Sequence, residues 1–218
     1  TWLSMRRLMV VKEKGFERGR TEVLAAITQL REICCHPSLV LDDYTGTSGK
    51  LDMLLDMLPE AIAKGRRVLL FSAFTSMLKI LRRELDDAGY ETMYLDGDTP
   101  AQRRVEMAEQ FNAGQGQIFL ISLKAGGTGL NLTGADMVIH YDPWWNVAAQ
   151  NQATDRAHRI GQEKQVSVFK LIMKDTVEEN ILLLQEQKRD LADQIISGEQ
   201  VSIGSLSREE LLKILSPQ

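Results

Sequence analysis

Only two cysteines occur in the sequence, adjacent at Cys34 and Cys35 and followed by His36. A structural zinc site needs about four ligands, and no second Cys or His cluster completes one. The pair therefore reads as two reduced thiols packed at a helix end, a usage that fits a cytosolic or nuclear compartment. No apolar run approaches the ~18 residues of a membrane-spanning helix. The opening Thr1-Trp2-Leu3-Ser4-Met5-Arg6-Arg7 has no signal-peptide pattern and reads as a cut through a longer protein. Basic charge is not in surplus, since the formal net charge is −4. That excludes a surface coated in cationic side chains for nucleic acid. Any such contact must use local patches, and binding by this piece alone should be weak and salt-sensitive. Internal repeats and low-complexity tracts are absent. So is a phosphate loop, although Gly46-Thr47-Ser48-Gly49-Lys50 invites that reading. The motif needs glycine five places before Gly-Lys and Ser or Thr directly after, where Tyr44 and Leu51 stand.

What is present is the composition of a globular protein, 44% hydrophobic and 26% charged. At 218 residues the chain can bury a substantial core in one or two domains. Residues 1–35 read as mostly helical, with Leu24, Ile27 and Leu30 at helical spacing. His36-Pro37 ends that helix, because the residue before a proline avoids the helical region. A polar, turn-rich connector follows at residues 42–49. Beyond it the pattern alternates. Leu51, Leu54, Leu55, Leu58 and Ile62 make one helical face, and Met77, Leu78, Leu81 and Leu85 another. Short apolar runs at 68–71, 91–95, 118–121, 137–141 and 166–172 read as strands. Thr99-Pro100-Ala101-Gln102 has the form of a helix start, with a capping hydroxyl and proline at the first helical position. Two tail helices are expected, one after a capping box at Thr176-Val177-Glu178-Glu179 and one from Ser207-Arg208-Glu209-Glu210. Strands alternating with helices imply an α/β fold, a parallel sheet covered on both faces, with helical N-terminal and C-terminal extensions. In such sheets ligands sit beyond the carboxyl ends of the strands. The loops at Ser72, 96–99 and 122–129 all leave such ends.

The chemistry is concentrated between residues 118 and 162. After the run Ile118-Phe119-Leu120-Ile121 comes Ser122-Leu123-Lys124-Ala125-Gly126-Gly127-Thr128-Gly129. Three glycines in four positions let the backbone approach a phosphate or sugar and turn its N–H groups toward an anion. The turn Tyr141-Asp142-Pro143-Trp144-Trp145-Asn146 leads into Gln152-Ala153-Thr154-Asp155-Arg156-Ala157-His158-Arg159-Ile160-Gly161-Gln162. On a helix, Gln152, Arg156 and Arg159 share one face. Residues 122–133 resemble motif V of the Swi/Snf-type DNA translocases of helicase superfamily two. Residues 152–162 resemble their motif VI, and Asp142-Pro143-Trp144-Trp145-Asn146 the link between the two. Leu30–Pro37 and Ser48-Gly49-Lys50-Leu51 resemble the segments that precede the second of that family's two RecA-like lobes, so the likeness covers nearly the whole chain.

The resemblance implies a division into residues 1–41, a helical segment continuing from a missing first lobe; 42–49, a linker; 50–174, the second RecA-like lobe; and 175–218, a helical extension. It implies an ATP hydrolase acting on double-stranded DNA, with Mg²⁺ and most adenine contacts held by the first lobe. This chain alone should hydrolyse essentially no ATP. Arg156 and Arg159 become arginine fingers, since arginine stays charged and presents a planar fork to phosphoryl oxygens. Their bland alternative is a solvated helix face with Asp155 paired to Arg159. Gln152, Gly127 and Gly129 fall near the nucleotide. Ser72, Arg103 (or Arg104), Ser122, Lys124, Trp145 and Asn146 fall near DNA. Ser72 reads equally as a strand-end cap, and Trp144 and Trp145 as core. Val147 follows Asn146 where relatives often have proline. Asp96-Gly97-Asp98 reads as turn and helix cap rather than a metal pair, and His140 and His158 as structural. No protein metal ligand is expected. A cytoplasmic, nucleoid-associated bacterial enzyme or a nuclear one both fit. Two alternatives stay open: a lobe of an RNA helicase, and a non-catalytic α/β interaction module that retains the motifs.

Overall fold

The computed structural model describes residues 16–125, 130–144, 147–155, 157, 165–192 and 206–215. Helix α1 (Phe16–Cys35) is followed by a short 3-10 turn (Pro37–Leu39) and by α2 (Gly49–Ala63). Next come β1 (Val68–Ser72), α3 (Thr75–Asp87), β2 (Thr92–Leu95), α4 (Ala101–Asn112) and β3 (Ile118–Ser122). The chain then forms β4 (Met137–His140), α5 (Val147–Asp155), β5 (Ser167–Lys170), α6 (Val177–Ala192) and α7 (Arg208–Leu215). Each strand coincides with an apolar run read from the sequence; β1 and β3 extend one residue further, to Ser72 and Ser122, and the other three are shorter by a residue or two at the ends.

The five strands form one sheet in the order β2-β3-β1-β4-β5, and every pairing is parallel. Alternation of side chains along the strands divides the core in two. Val68, Leu70, Ile118, Leu120, Met137 and Ile139 meet α2 and α3 on one face. Leu69, Phe71, Phe119, Ile121 and Val138 meet Met107, Ala108 and Phe111 of α4 and Ala153 in the second half of α5 on the other. The helical faces named from the sequence pack inward: in α2 Leu51, Leu54 and Leu58 are buried and Leu55 and Ile62 partly so, and in α3 Met77, Leu78, Leu81 and Leu85 are all buried. A third cluster joins the two ends of the chain. Val23, Ile27 and Cys34 of α1 pack on Val177 and Ile181 of α6 and on Leu211, Ile214 and Leu215 of α7. The helical extensions, separate in sequence, are therefore one layer.

Helix starts follow local chemistry. Ser48 accepts from the Leu51 N–H at 3.2 Å while donating to the Cys35 carbonyl at 2.9 Å, so it caps α2 and ties it to the end of α1. Ser207 and Glu210 exchange both bonds of a capping box, at 3.2 and 2.7 Å. The expected cap at Thr99 is replaced. Helix α4 begins at Ala101, Pro100 occupies the cap position, and no side chain caps it. Asp96 lies three residues earlier and engages the Thr99 hydroxyl, whose oxygen accepts from the Asp96 N–H at 3.2 Å.

Candidate functional site

The carboxyl end of the sheet is where the chain's topology changes direction. β1 leads through α3 toward one edge and β4 leads through α5 toward the other. Open α/β sheets take ligands at such switch points. Here the crevice holds the carboxylate of Asp142. Its Oδ1 accepts from the Ser72 hydroxyl at 2.5 Å and from the Ala73 N–H at 3.1 Å, and its Oδ2 pairs with Arg31 Nη2 at 3.1 Å. Ser72 also accepts from the Phe74 N–H, which fixes the first turn leading to α3. Arg31 reaches in from α1. The same Nη2 donates to the Pro143 carbonyl at 2.7 Å, and the guanidinium lies over the Phe74 and Trp144 rings. Asp142 is 0% exposed and Arg31 3%. Such a charge is tolerable only because it is paired and hydrogen-bonded.

A second buried pair adjoins the first. Lys50 Nζ lies 2.6 Å from Glu178 Oε1 and donates to the Tyr141 carbonyl at 2.9 Å. Glu178 Oε2 accepts from the Met173 N–H at 2.9 Å. Tyr141 donates its hydroxyl to the Cys35 carbonyl. Burial pushes the Glu178 carboxyl above its ordinary range, while the Lys50 charge and hydrogen bond pull it down. Burial likewise raises both thiols, Cys35 most, so these cysteines are inert packing groups. Trp144 is half-buried; Gln150 accepts from its N–H at 3.2 Å, and Gln185 of α6 donates to its carbonyl. Residues 141–144 are thus held from α1, α2, α5 and α6 at once.

The candidates from the sequence divide by place. Ser72 and Ser122 end β1 and β3 and are register partners. Both are fully buried. The Ser72 hydroxyl is committed to Asp142, the strand-end-cap arrangement, while Ser122 Oγ has no hydrogen-bond partner among the described residues. Lys124 is exposed just beyond β3, and Gln152 is exposed on α5. Arg103 is exposed and paired with Glu106 one helical turn on, at 3.2 Å. Its neighbour Arg104 is spent on structure, donating to the Gly97, Thr99 and Ala125 carbonyls and so joining two of the sheet-end loops. Asp96 is a turn residue, accepting from the Asp98 N–H and the Tyr94 hydroxyl. His140 is buried, stacked on Phe71, with Nε2 at 2.9 Å from the Thr154 hydroxyl. Gly127, Gly129, Trp145, Asn146, Arg156, His158 and Arg159 lie outside the described residues, so the expected alignment of Gln152 with both arginines falls there too.

The sequence profile described as the helicase conserved C-terminal domain matches residues 49–161. The chain also covers 90% of the Sulfolobus solfataricus SWI2/SNF2 ATPase C-terminal domain, at 29% identity over 99% of its own length and a TM-score of 0.78. This chain belongs to the helicase C-terminal domain family, Swi/Snf type. YwqA of Bacillus subtilis, which its name provisionally calls an ATP-dependent helicase/translocase, is 41% identical over 208 residues. That is 93% of this chain and 22% of that protein. The S. solfataricus SWI2/SNF2 ATPase core solved in complex with double-stranded DNA gives a TM-score of 0.79 at 32% identity, covering 99% of this chain and 46% of that one. The chain spans about a fifth of the length of the first curated relatives it matches, between 19% and 22%.

Two elements of the Swi/Snf lobe escape sequence reasoning. Asp142 reads there as part of a turn that resembles the link between two motifs, and Arg31 as part of a helix end that resembles the segment before the second lobe, and neither is singled out for a role of its own. The available signal is position: a carboxylate one residue beyond a buried strand has little solvent to face. Lys50 and Glu178 carry no such signal, since each looks like an ordinary charge in the first turn of a helix.

Proposed function

We propose that this chain is the second motor lobe of an ATP-driven double-stranded-DNA translocase, hydrolysing ATP at an interface with a first RecA-like lobe elsewhere in the full-length protein. The observation that carries the proposal is the place of those motif residues that the structure describes, at one end of a parallel sheet. Ser72 and Ser122 end adjacent strands in register, exposed Lys124 follows Ser122, and exposed Gln152 sits on the helix after β4. The relative bound to double-stranded DNA favours duplex DNA as the track.

In this reading ATP binds in the cleft between lobes, with Mg²⁺ held by the first. Arg156 and Arg159 meet the charge developing on the γ-phosphoryl oxygens. Guanidiniums supplied this way are worth ~10³–10⁵ in rate. Gln152, Gly127 and Gly129 lie near the nucleotide. Lys124, Arg103, Trp145 and Asn146 serve the DNA side. Ser72 and Ser122 stand beneath the surface, so a direct phosphate contact by either hydroxyl requires the loop above it to open. Lobe opening and closing then moves these contacts along one strand.

The test is ATPase rate with and without duplex DNA, for this chain alone and for the parent protein. Activity only in the parent, stimulated by duplex DNA and not by RNA, is expected. Arg159→Glu in the parent should remove it. Turnover by this chain alone would end the two-lobe reading, and unchanged turnover in R159E would end the finger assignment.

A further inference from the structure

Two helices outside the RecA-like core send polar side chains into residues 141–144. Arg31 of α1 pairs with Asp142 and donates to the Pro143 carbonyl. Helix α6 contributes Gln185 to the Trp144 carbonyl, and Glu178 to Lys50, whose ammonium holds the Tyr141 carbonyl. Asp142 passes the connection on to the Ser72 hydroxyl and the Ala73 N–H at the end of β1. One carboxylate therefore joins three segments distant in sequence: α1, the β1–α3 turn and the β4–α5 turn. Both turns begin segments assigned above to DNA and nucleotide contact.

Stability alone is a weak reason for this arrangement. A buried ion pair is often no more stabilising than an apolar pair of the same shape. What it supplies is direction, because Nη2 must satisfy Oδ2 of Asp142 and the Pro143 carbonyl together. Sliding α1 against the sheet breaks both bonds at once. The guanidinium lies against the Phe74 and Trp144 rings and Arg31 is 3% exposed, so in place these two bonds are made out of reach of bulk water.

We infer that Arg31 is a positioning residue: through Asp142 it sets the place of residues 141–144, and α1 with α6 forms a clamp that couples DNA contact to ATP turnover. The inference rests on the motor-lobe reading above. Arg31 touches neither substrate, so its loss should leave DNA-free turnover standing while the DNA-dependent part falls.

The experiment uses the full-length parent with Arg31→Met, Arg31→Lys and the double variant R31M/D142N. DNA-free ATPase, DNA-stimulated ATPase, base pairs travelled per ATP (by triplex displacement) and melting temperature are measured for each. R31M should keep DNA-free ATPase within about twofold and lose about tenfold to 100-fold of the DNA stimulation, the scale of a small misplacement remote from the chemistry. R31K keeps the charge without the planar fork and should recover less than half of the stimulation. R31M/D142N removes the orphaned carboxylate; its melting temperature should return toward wild type while stimulation stays low. If R31M fails to fold, the double variant decides between the outcomes. Stimulation within twofold of wild type in a folded variant overturns the inference, as does stimulation that returns in step with melting temperature. A wild-type parent without DNA-stimulated ATPase overturns this and the motor-lobe reading together, whereas an active parent with stimulation intact in R31M overturns this alone.

Discussion

Replacing Lys50 by methionine tests whether the buried pair at the foot of α6 is structurally obligatory. Lys50 and Glu178 are 3% and 0% exposed, and their charged atoms are 2.6 Å apart. Methionine keeps the apolar stem, one atom shorter and without the charge, loses the Tyr141 contact, and leaves Glu178 with the Met173 N–H as its remaining donor among the described residues. Removing one partner of a buried pair costs about 3–5 kcal/mol. For a chain of this size that lowers the melting temperature by roughly 6–20 °C. The pH dependence follows from the direction of the Glu178 shift. Burial already raises its pKa above the ordinary 4.5, against the pull of Lys50. The folded state therefore binds this proton more tightly than the unfolded one, and stability falls as pH rises from about 4.5 to the raised value. Without Lys50 the pKa rises further, so the decline in K50M should extend to higher pH. Urea unfolding of K50M, E178Q and K50M/E178Q between pH 4 and 8 measures this. The double variant should recover most of the loss and show no widened slope. A K50M loss below about 1 kcal/mol, or a double variant as unstable as K50M, would refute the argument that an unpaired buried carboxylate is what costs.

Other outcomes follow from the same contacts. His140 is held neutral by burial, with the Lys170 charge adding to it, and its pKa is lowered to about 4 from 6.5. Its contribution is complete above pH 6.5 and drains away as pH falls toward 4, up to ~3 kcal/mol in all; H140Q should flatten that part of the acid unfolding profile, and an unchanged slope would assign it to other groups. Cys34 and Cys35, free, buried and raised in pKa, should resist an aromatic disulfide reagent in the folded chain and react only as urea unfolds it. Arg103→Ala removes an exposed pair worth ~0–1 kcal/mol and should leave melting unchanged. In the parent it should weaken duplex binding and reduce the log–log salt slope by about one; equal slopes would take Arg103 off the DNA.

Much of the architecture was legible because it is written in neighbour spacing. Met77, Leu78, Leu81 and Leu85 had to share one face of a helix, and all four are buried. The strands at 118–122 and 137–140 read as apolar runs because both faces of a parallel sheet are covered. Local signals failed where two short-range partners competed. Thr99 could cap α4 or close the turn with Asp96, and the closer turn took it. The candidate site was legible as a set of residue types at one sheet end. Its depth was not: nothing in the string Leu70-Phe71-Ser72-Ala73-Phe74 says that the Ser72 hydroxyl is fully buried against a carboxylate 70 positions on.

The sequence by itself determined the order of strands and helices, the parallel sheet and the family, since these depend on periodicities of two and 3.6 residues and on contiguous motifs. Only the tertiary structure decided which charges were structural. Arg31 and Asp142 are 111 positions apart, and Lys50 and Glu178 are 128 apart. A charged residue in a helix carries no local mark of the partner it will meet. Its role is set by burial, which exists only once distant segments have closed around it, and then the cost of an unpaired charge leaves little choice of partner.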